Sequence, residues 1–438
     1  MSAGTTTMKK ILYTLAGLLG LAVAGVLFML VRTGSDDPGP PPTVTAKLSP
    51  AGKIARGAYL AKAGDCMACH TTRGGKQYAG GRALTTPFGS VISPNITSDK
   101  ATGIGGWSAD DFWLALHNGK SKDGRLLYPA FPYTNYTRIT RDDSDALHAY
   151  FQSVPAVSQA NRPHQLRFPY NQQFMLAAWR ALYFKPAVFR PESGQSVDWN
   201  RGAYLVQGLG HCSACHSPRN ALGAVSGKSG ESLSGGLIPV LGWYAPSLNA
   251  DAEAGLGDWQ QEHIAALLKT GVSPRATVFG PMAEVVRESL QHLDDGDINA
   301  MAVYLRALPA QGVKSEFERD KGPQATAFLT AGARLYEQHC AECHGAGGAG
   351  MPPGYPPLAG NRALTMEQAV NPIRIVLNGG FAPGTAGNPR PYSMPPFGHV
   401  LNDTEVAQVV SYLRSAWGNN APPVDNNEVN RYRAIPLD

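Results

Sequence analysis

Polar and apolar positions follow one another along this chain with a helical period, in a pattern that returns three times. Short apolar-rich stretches begin at Arg56, Arg201 and Gly332, and middle stretches with the same spacing run over Trp107 to Asn118, Trp259 to Thr270 and Met366 to Asn378. A closing set covers Asp142 to Val154, Asp294 to Leu308 and Asp403 to Trp417, each opening on acidic or polar residues as a helix N-terminus favours. Strict period-two alternation is almost missing. The pattern therefore predicts an all-α chain of three tandem units, each helix, loop, helix, loop, helix, with almost no strand.

A different pattern precedes the repeats. Ile11 to Val31 is a run of 21 residues without a charge, long enough as a helix to span roughly 30 Å of hydrocarbon. It predicts one N-terminal transmembrane helix within residues 1–32, with Lys9 and Lys10 holding the N-terminus in the cytoplasm and everything after Arg32 on the far side. Ala22-Val23-Ala24 has the form of a signal-peptide cleavage site, the competing reading, but the apolar run continues through Val31 and favours a retained anchor. Either way the chain is exported. Residues 33–50, with Gly39-Pro40-Pro41-Pro42, form a Pro-rich linker expected to be extended. The remaining boundaries place a first unit at 51–192, a second at 193–313, a charged linker at 314–322, a third unit at 323–421 and a C-terminal tail at 422–438.

Length and composition fit this division. The 438 residues suffice for about three small domains, and 49 Gly and 34 Pro with only 16% charged residues suit compact helical units joined by irregular loops. The net charge of +5 is too small and dispersed to argue for a nucleic-acid partner.

The chemistry sits in Cys-x-x-Cys-His, present as Cys66-Met67-Ala68-Cys69-His70, Cys212-Ser213-Ala214-Cys215-His216 and Cys340-Ala341-Glu342-Cys343-His344. This is the attachment signature of a c-type haem. Two thiols about one helical turn apart anchor the porphyrin as thioethers, and the next residue turns its imidazole to the iron. A zinc site would need two more ligands per motif, and a redox dithiol does not require the trailing His. All six cysteines lie inside the motifs, so three covalent haems are expected. Nothing else resembles catalytic machinery: there is no nucleotide-binding glycine loop and no nucleophile with its base.

The units also repeat around the motifs. Arg56-Gly57-Ala58-Tyr59-Leu60 and Arg201-Gly202-Ala203-Tyr204-Leu205 precede the first two, with a weaker copy at Gly332 to Tyr336; downstream come Pro94-Asn95-Ile96, Pro246-Ser247-Leu248 and Pro356-Pro357-Leu358. For the sixth iron ligand, usually a methionine in a low-spin carrier, Met282 and Met394 lie in matching intervals between middle and closing helices. In the first unit the equivalent position holds Phe131, 24 residues after Trp107 where Met282 follows Trp259 by 23. Phenylalanine cannot bind iron. Met175, on the stretch Asn171 to Phe184, is the candidate replacement, although with Leu176, Trp179 and Leu182 it also makes an ordinary core stripe. His117 and His148 are weaker candidates for the same role and read better as surface histidines on their helices, and the remaining alternative is a five-coordinate first haem.

With Tyr-Pro-Ala-x-Pro-Tyr at 128–133, Ser-Pro-Asn-Ile-Thr at 93–97, His-Cys-x-Ala-Cys-His at 211–216 and Pro-Leu-Ala-Gly-Asn at 357–361, the chain resembles the triheme cytochrome c subunits of membrane-bound bacterial dehydrogenases. The units resemble class I cytochromes c, in which a proline carbonyl accepts the hydrogen bond of the proximal His. The resemblance implies an electron relay at the periplasmic face of the inner membrane, from a catalytic dehydrogenase subunit, with or without a small third subunit, to ubiquinone. Phe131 is similar to the aldehyde dehydrogenase branch, and an alcohol dehydrogenase or a flavin-dependent gluconate, sorbitol or fructose dehydrogenase are the other partners implied. A stand-alone anchored cytochrome, or a haem enzyme with an open site at the first haem, is the reading from another class.

Overall fold

The computed structural model describes residues 48–435 apart from 227–231, 239, 252–253 and 312–316, with a few isolated positions between 13 and 25. The expected anchor and most of the Pro-rich linker lie outside the described residues; among the described residues no helix is long and apolar enough to cross a membrane.

Each unit is built on an opening helix that crosses a closing helix. The pairs are Pro50–Ala63 with Arg141–Ser153, Val197–Gln207 with Asp295–Arg306, and Pro323–His339 with Asp403–Leu413. Local chemistry sets their ends. Thr140, Asp294 and Asn402 cap the closing helices by accepting from the backbone N–H three residues on, at Asp143, Asp297 and Glu405. The crossings need glycine. A Cβ on Gly57, Gly202 or Gly332 would collide with the carbonyl oxygen of Ala146, Ala300 or Gln408. The repeated glycine of the opening phrase is thus a contact point between helices. In the first two units the preceding arginine ties the same pair together: Arg56 Nε donates to Asp143 at 2.8 Å and Arg201 Nε to Asp297 at 2.6 Å. The middle helices are Ala109–Asn118, Gln261–Thr270 and Val370–Asn378.

The all-α expectation needs correction. Four small antiparallel sheets occur among the described residues. In the first unit Ala83–Thr86 pairs with Gly89–Ile92, which pairs in turn with Gln165–Leu166. These strands are two to four residues long, too short for a period-two signal. They occur because loops wrapped around a large pocket must still pair their backbone groups.

Two features of the packing depart from three beads on a string. One continuous hydrophobic core serves the first and second units together, joining Leu60, Leu147 and Phe151 to Leu205, Met301 and Leu305, while the third unit has its own core. The third unit also extends beyond 421. Helix Asn426–Arg433 packs Val429, fully buried, onto that core together with Val424, so much of the expected tail belongs to the domain. The segment is polar overall, and within the helix Val429 alone is buried, with Tyr432 half-buried against the same core, so no apolar period marks it in the sequence.

Candidate haem-attachment sites

The first motif forms its own short helix, Cys66–His70, and the second and third follow as Ser213–His216 and Ala341–His344. In each, the trailing histidine faces a proline carbonyl: His70 Nδ1 lies 2.8 Å from Pro94 O, His216 Nδ1 2.7 Å from Pro246 O, and His344 Nδ1 3.1 Å from Pro356 O. A carbonyl only accepts, so Nδ1 carries the proton and donates. The lone pair is left on Nε2, the atom a metal would take. Burial reinforces this by keeping the rings neutral; it pushes His216 down to about 4 and lowers His70 and His344 too.

The cysteines are paired in no disulfide. Burial pushes the thiols of Cys66 and Cys212 up to about 12 and those of Cys69 and Cys340 up to about 11. Protonated thiols in apolar surroundings are unsuited to thiol–disulfide exchange, which needs a thiolate. Among the described residues no three His, Cys, Asp or Glu side chains converge as a metal cluster would require. Two thiols and one imidazole per motif fit a covalent haem and not zinc.

A cleft of about 1690 Å³ opens beside the first motif, lined by Cys66, Cys69 and His70 and also by Phe131 and Met175. Its predominantly apolar walls and its size suit a macrocycle. Met175 sits on helix Gln173–Tyr183, whose Leu176 and Ala177 are buried, while Leu182 is 65% exposed. The structure therefore brings Met175 into the same cleft as His70. Phe131 lies against Tyr136, with ring centroids 5.4 Å apart. His117 is not the surface histidine expected. It is fully buried, stacked on Trp113 at 4.4 Å, with Nδ1 bonded to Thr137 O at 2.8 Å. His148 is half-buried, its Nε2 3.1 Å from Trp107 O. Neither lines the cleft.

Met282 lies in the first turn of helix Pro281–Glu288, rather than in the loop its flanking Pro and Gly imply, and is half-buried against the shared core. Met394 occupies the two-residue strand Ser393–Met394 and is half-buried against the third core. The helix bearing Met282 also reaches the first site. Glu284 takes a bidentate pair from Arg82, at 2.7 and 3.1 Å, while Arg82 also donates to Ala68 O inside the first motif.

Other residues at these sites escaped the sequence reading. Asp65, in a left-handed conformation, precedes Cys66; its Oδ1 is buried without a hydrogen-bond partner, and burial, followed by Glu284 and Glu288, pushes its carboxyl up to about 8. His211, just before Cys212, lines the first cleft and meets Tyr136 edge-on at 5.7 Å. Its adjacency to the second motif was visible. Its contact with the first unit exists only in the folded pair.

The cytochrome c family model matches residues 54–155 and 329–417, that is, the first and third units. The chain is 41% identical to the gluconate 2-dehydrogenase cytochrome c subunit of Pantoea cypripedii, over 84% of this chain and 86% of that one. It is 40% identical to the cytochrome c subunit of the quinone alcohol dehydrogenase of Gluconobacter oxydans strain 621H, over 84% and 79%. It is also 34% identical to the fructose dehydrogenase cytochrome subunit of Gluconobacter japonicus, over 95% and 91%.

Proposed function

The chain belongs to the family of cytochrome c subunits of dehydrogenases, and on that premise we propose that it is a triheme electron relay delivering electrons from a catalytic dehydrogenase subunit to ubiquinone. It is an electron-transfer subunit rather than a catalytic one. The observation that carries the count of three is the recurrence of one geometry: in each unit two unpaired cysteines stand beside an imidazole whose Nδ1 is bonded to a proline carbonyl. Haem held there would supply reversible one-electron chemistry between ferrous and ferric iron.

The residues of this chain do the rest. The prolines Pro94, Pro246 and Pro356 orient the proximal rings. Met175, Met282 and Met394 are proposed as sixth ligands, which raise a haem's potential and close its sixth position to other molecules. The shared core and the Arg82–Glu284 pair hold the first two sites against each other. The proposed location is the periplasmic face of a bacterial inner membrane, anchored by residues 1–32. A lipid-soluble acceptor suits the exposed Phe168, Phe174 and Leu182 on the segment bordering the first cleft. The names of the relatives divide among gluconate, alcohol and fructose, so a sugar or alcohol dehydrogenase partner has more support than the aldehyde enzyme that Phe131 suggested.

The test is purification from detergent-solubilised membranes with mass measurement of the chain. A mass increment of three haems, copurification of a larger dehydrogenase subunit and substrate-dependent quinone reduction are expected. Fewer than three haems would overturn the relay as proposed. Carbon monoxide added to the reduced protein checks the first site: a spectral shift in one haem of three would replace the Met175 assignment with an open, ligand-binding iron.

A further inference from the structure

Trp259 precedes the middle helix of the second unit and is 3% exposed. Two guanidinium groups lie over its ring, Arg275 and Arg362, each with Cζ 5.7 Å from the centroid. They differ in origin and in charge balance. Arg275 belongs to the second unit and pairs with Asp258 at 2.5 Å. Arg362 comes from the third unit, as the first residue of the short helix Arg362–Thr365 held by its cap Asn361.

Among the described residues no carboxylate and no carbonyl takes a hydrogen bond from the Arg362 guanidinium. Asp258 acts on it through space and is already engaged by Arg275. Burial lowers Arg362 to about 10, and after burial and the Pro246 hydrogen bond its charge is the next influence on the His216 imidazole, holding it neutral. The residue is half-buried, and a guanidinium resting on an aromatic ring with no acceptor of its own has its donors directed to an anion. The arrangement suits an anion with a planar pair of oxygens placed between Trp259 and the second motif.

We propose that Arg362 binds a haem carboxylate at the second site, so that the third unit completes the cofactor pocket of the second. This rests on the reading of residues 212–216 as a haem-attachment site. The contact makes the two units interdependent. The third unit is already docked on the second through Tyr244 N to Asn371 Oδ1 at 2.9 Å, Asn371 Nδ2 to Tyr244 O at 2.7 Å, and Arg374 over Trp243. Arg362 adds to that docking a charge that acts on the iron. A haem carboxylate left without its cation favours the ferric state, so removing Arg362 lowers the potential of the second haem alone.

The experiment is redox titration of the full chain in three forms: wild type, Arg362→Gln and Arg362→Lys. The second-site component is identified as the one missing from a Cys212→Ala, Cys215→Ala double variant. In Arg362→Gln that component is expected to move to lower potential with the other two unchanged, and Arg362→Lys should recover part of the shift. An unmoved second component in Arg362→Gln, with three haems still bound, overturns the proposal while leaving the relay itself intact. Redox-difference infrared spectra of wild type and Arg362→Lys provide a second reading that does not depend on the stability of the glutamine variant. A carboxylate band of the haem should differ between them, and identical spectra would count equally against the contact. A wild-type chain lacking haem at Cys212 and Cys215 would instead refute the relay.

Discussion

Tyr59 of the first unit donates its hydroxyl proton to Asp297 of the second, with 2.5 Å between the oxygens. The relationship has a counterpart: Tyr204 of the second unit donates to Asp143 of the first at 2.6 Å. Each aspartate is buried and also holds the arginine of its own unit, Arg56 on Asp143 and Arg201 on Asp297. Each tyrosine oxygen further accepts a backbone N–H near the facing helix cap, from Asp294 and from Thr140. The two units are therefore joined by a local pseudo-two-fold exchange, built from the same phrase Arg-Gly-Ala-Tyr-Leu used twice. Burial and Asp297 together hold the Tyr59 phenol above its ordinary value.

If this exchange stabilises the pair, Tyr59→Phe and Tyr204→Phe should destabilise it by similar amounts, about 1.5 to 3 kcal/mol each, as expected for a hydrogen bond to a carboxylate. Urea unfolding of each variant, followed by the haem absorbance, measures this. Markedly unequal effects would speak against the symmetry.

The glycine crossings make a sharper prediction. Gly332→Ala should destabilise the third unit by about 2 to 3 kcal/mol through overpacking against Gln408 and Tyr412. Gly194→Ala, where an added Cβ meets nothing within 4 Å, should be close to neutral. Thermal unfolding of the two side by side is the check.

The methionines divide by site. Met282→Ala and Met394→Ala should each lower the potential of one haem, leaving the others in place. Met175→Ala should convert the first haem to a high-spin form that binds carbon monoxide. Spectra of Met175→Ala identical to wild type would return this residue to the role of cleft lining.

Asp65 predicts a pH dependence. Its raised pKa keeps the carboxyl neutral below about 8, and ionisation above that value places a negative charge beside the first motif. Negative charge favours ferric iron, so the potential of the first haem should fall as pH rises through about 8. Asp65→Asn should flatten the titration, and a slope unchanged by that substitution would assign the effect elsewhere.

The chemistry of this protein was legible in its sequence because it depends on covalent spacing. Cys-x-x-Cys-His places two thiols and an imidazole on one turn of chain wherever it occurs, and the distant prolines Pro94, Pro246 and Pro356 were visible because they recur at matching places in the repeat. The helices were legible too, since their apolar spacing and caps are local. Strands of two to four residues carried no period to detect. What only tertiary structure decided was which unit touches which. Tyr59 meeting Asp297, His211 entering the first cleft and Arg362 resting on Trp259 each join positions from different units. Such contacts depend on how whole helical faces dock. A repeat pattern describes each unit separately and carries no information about the angle at which the next one packs.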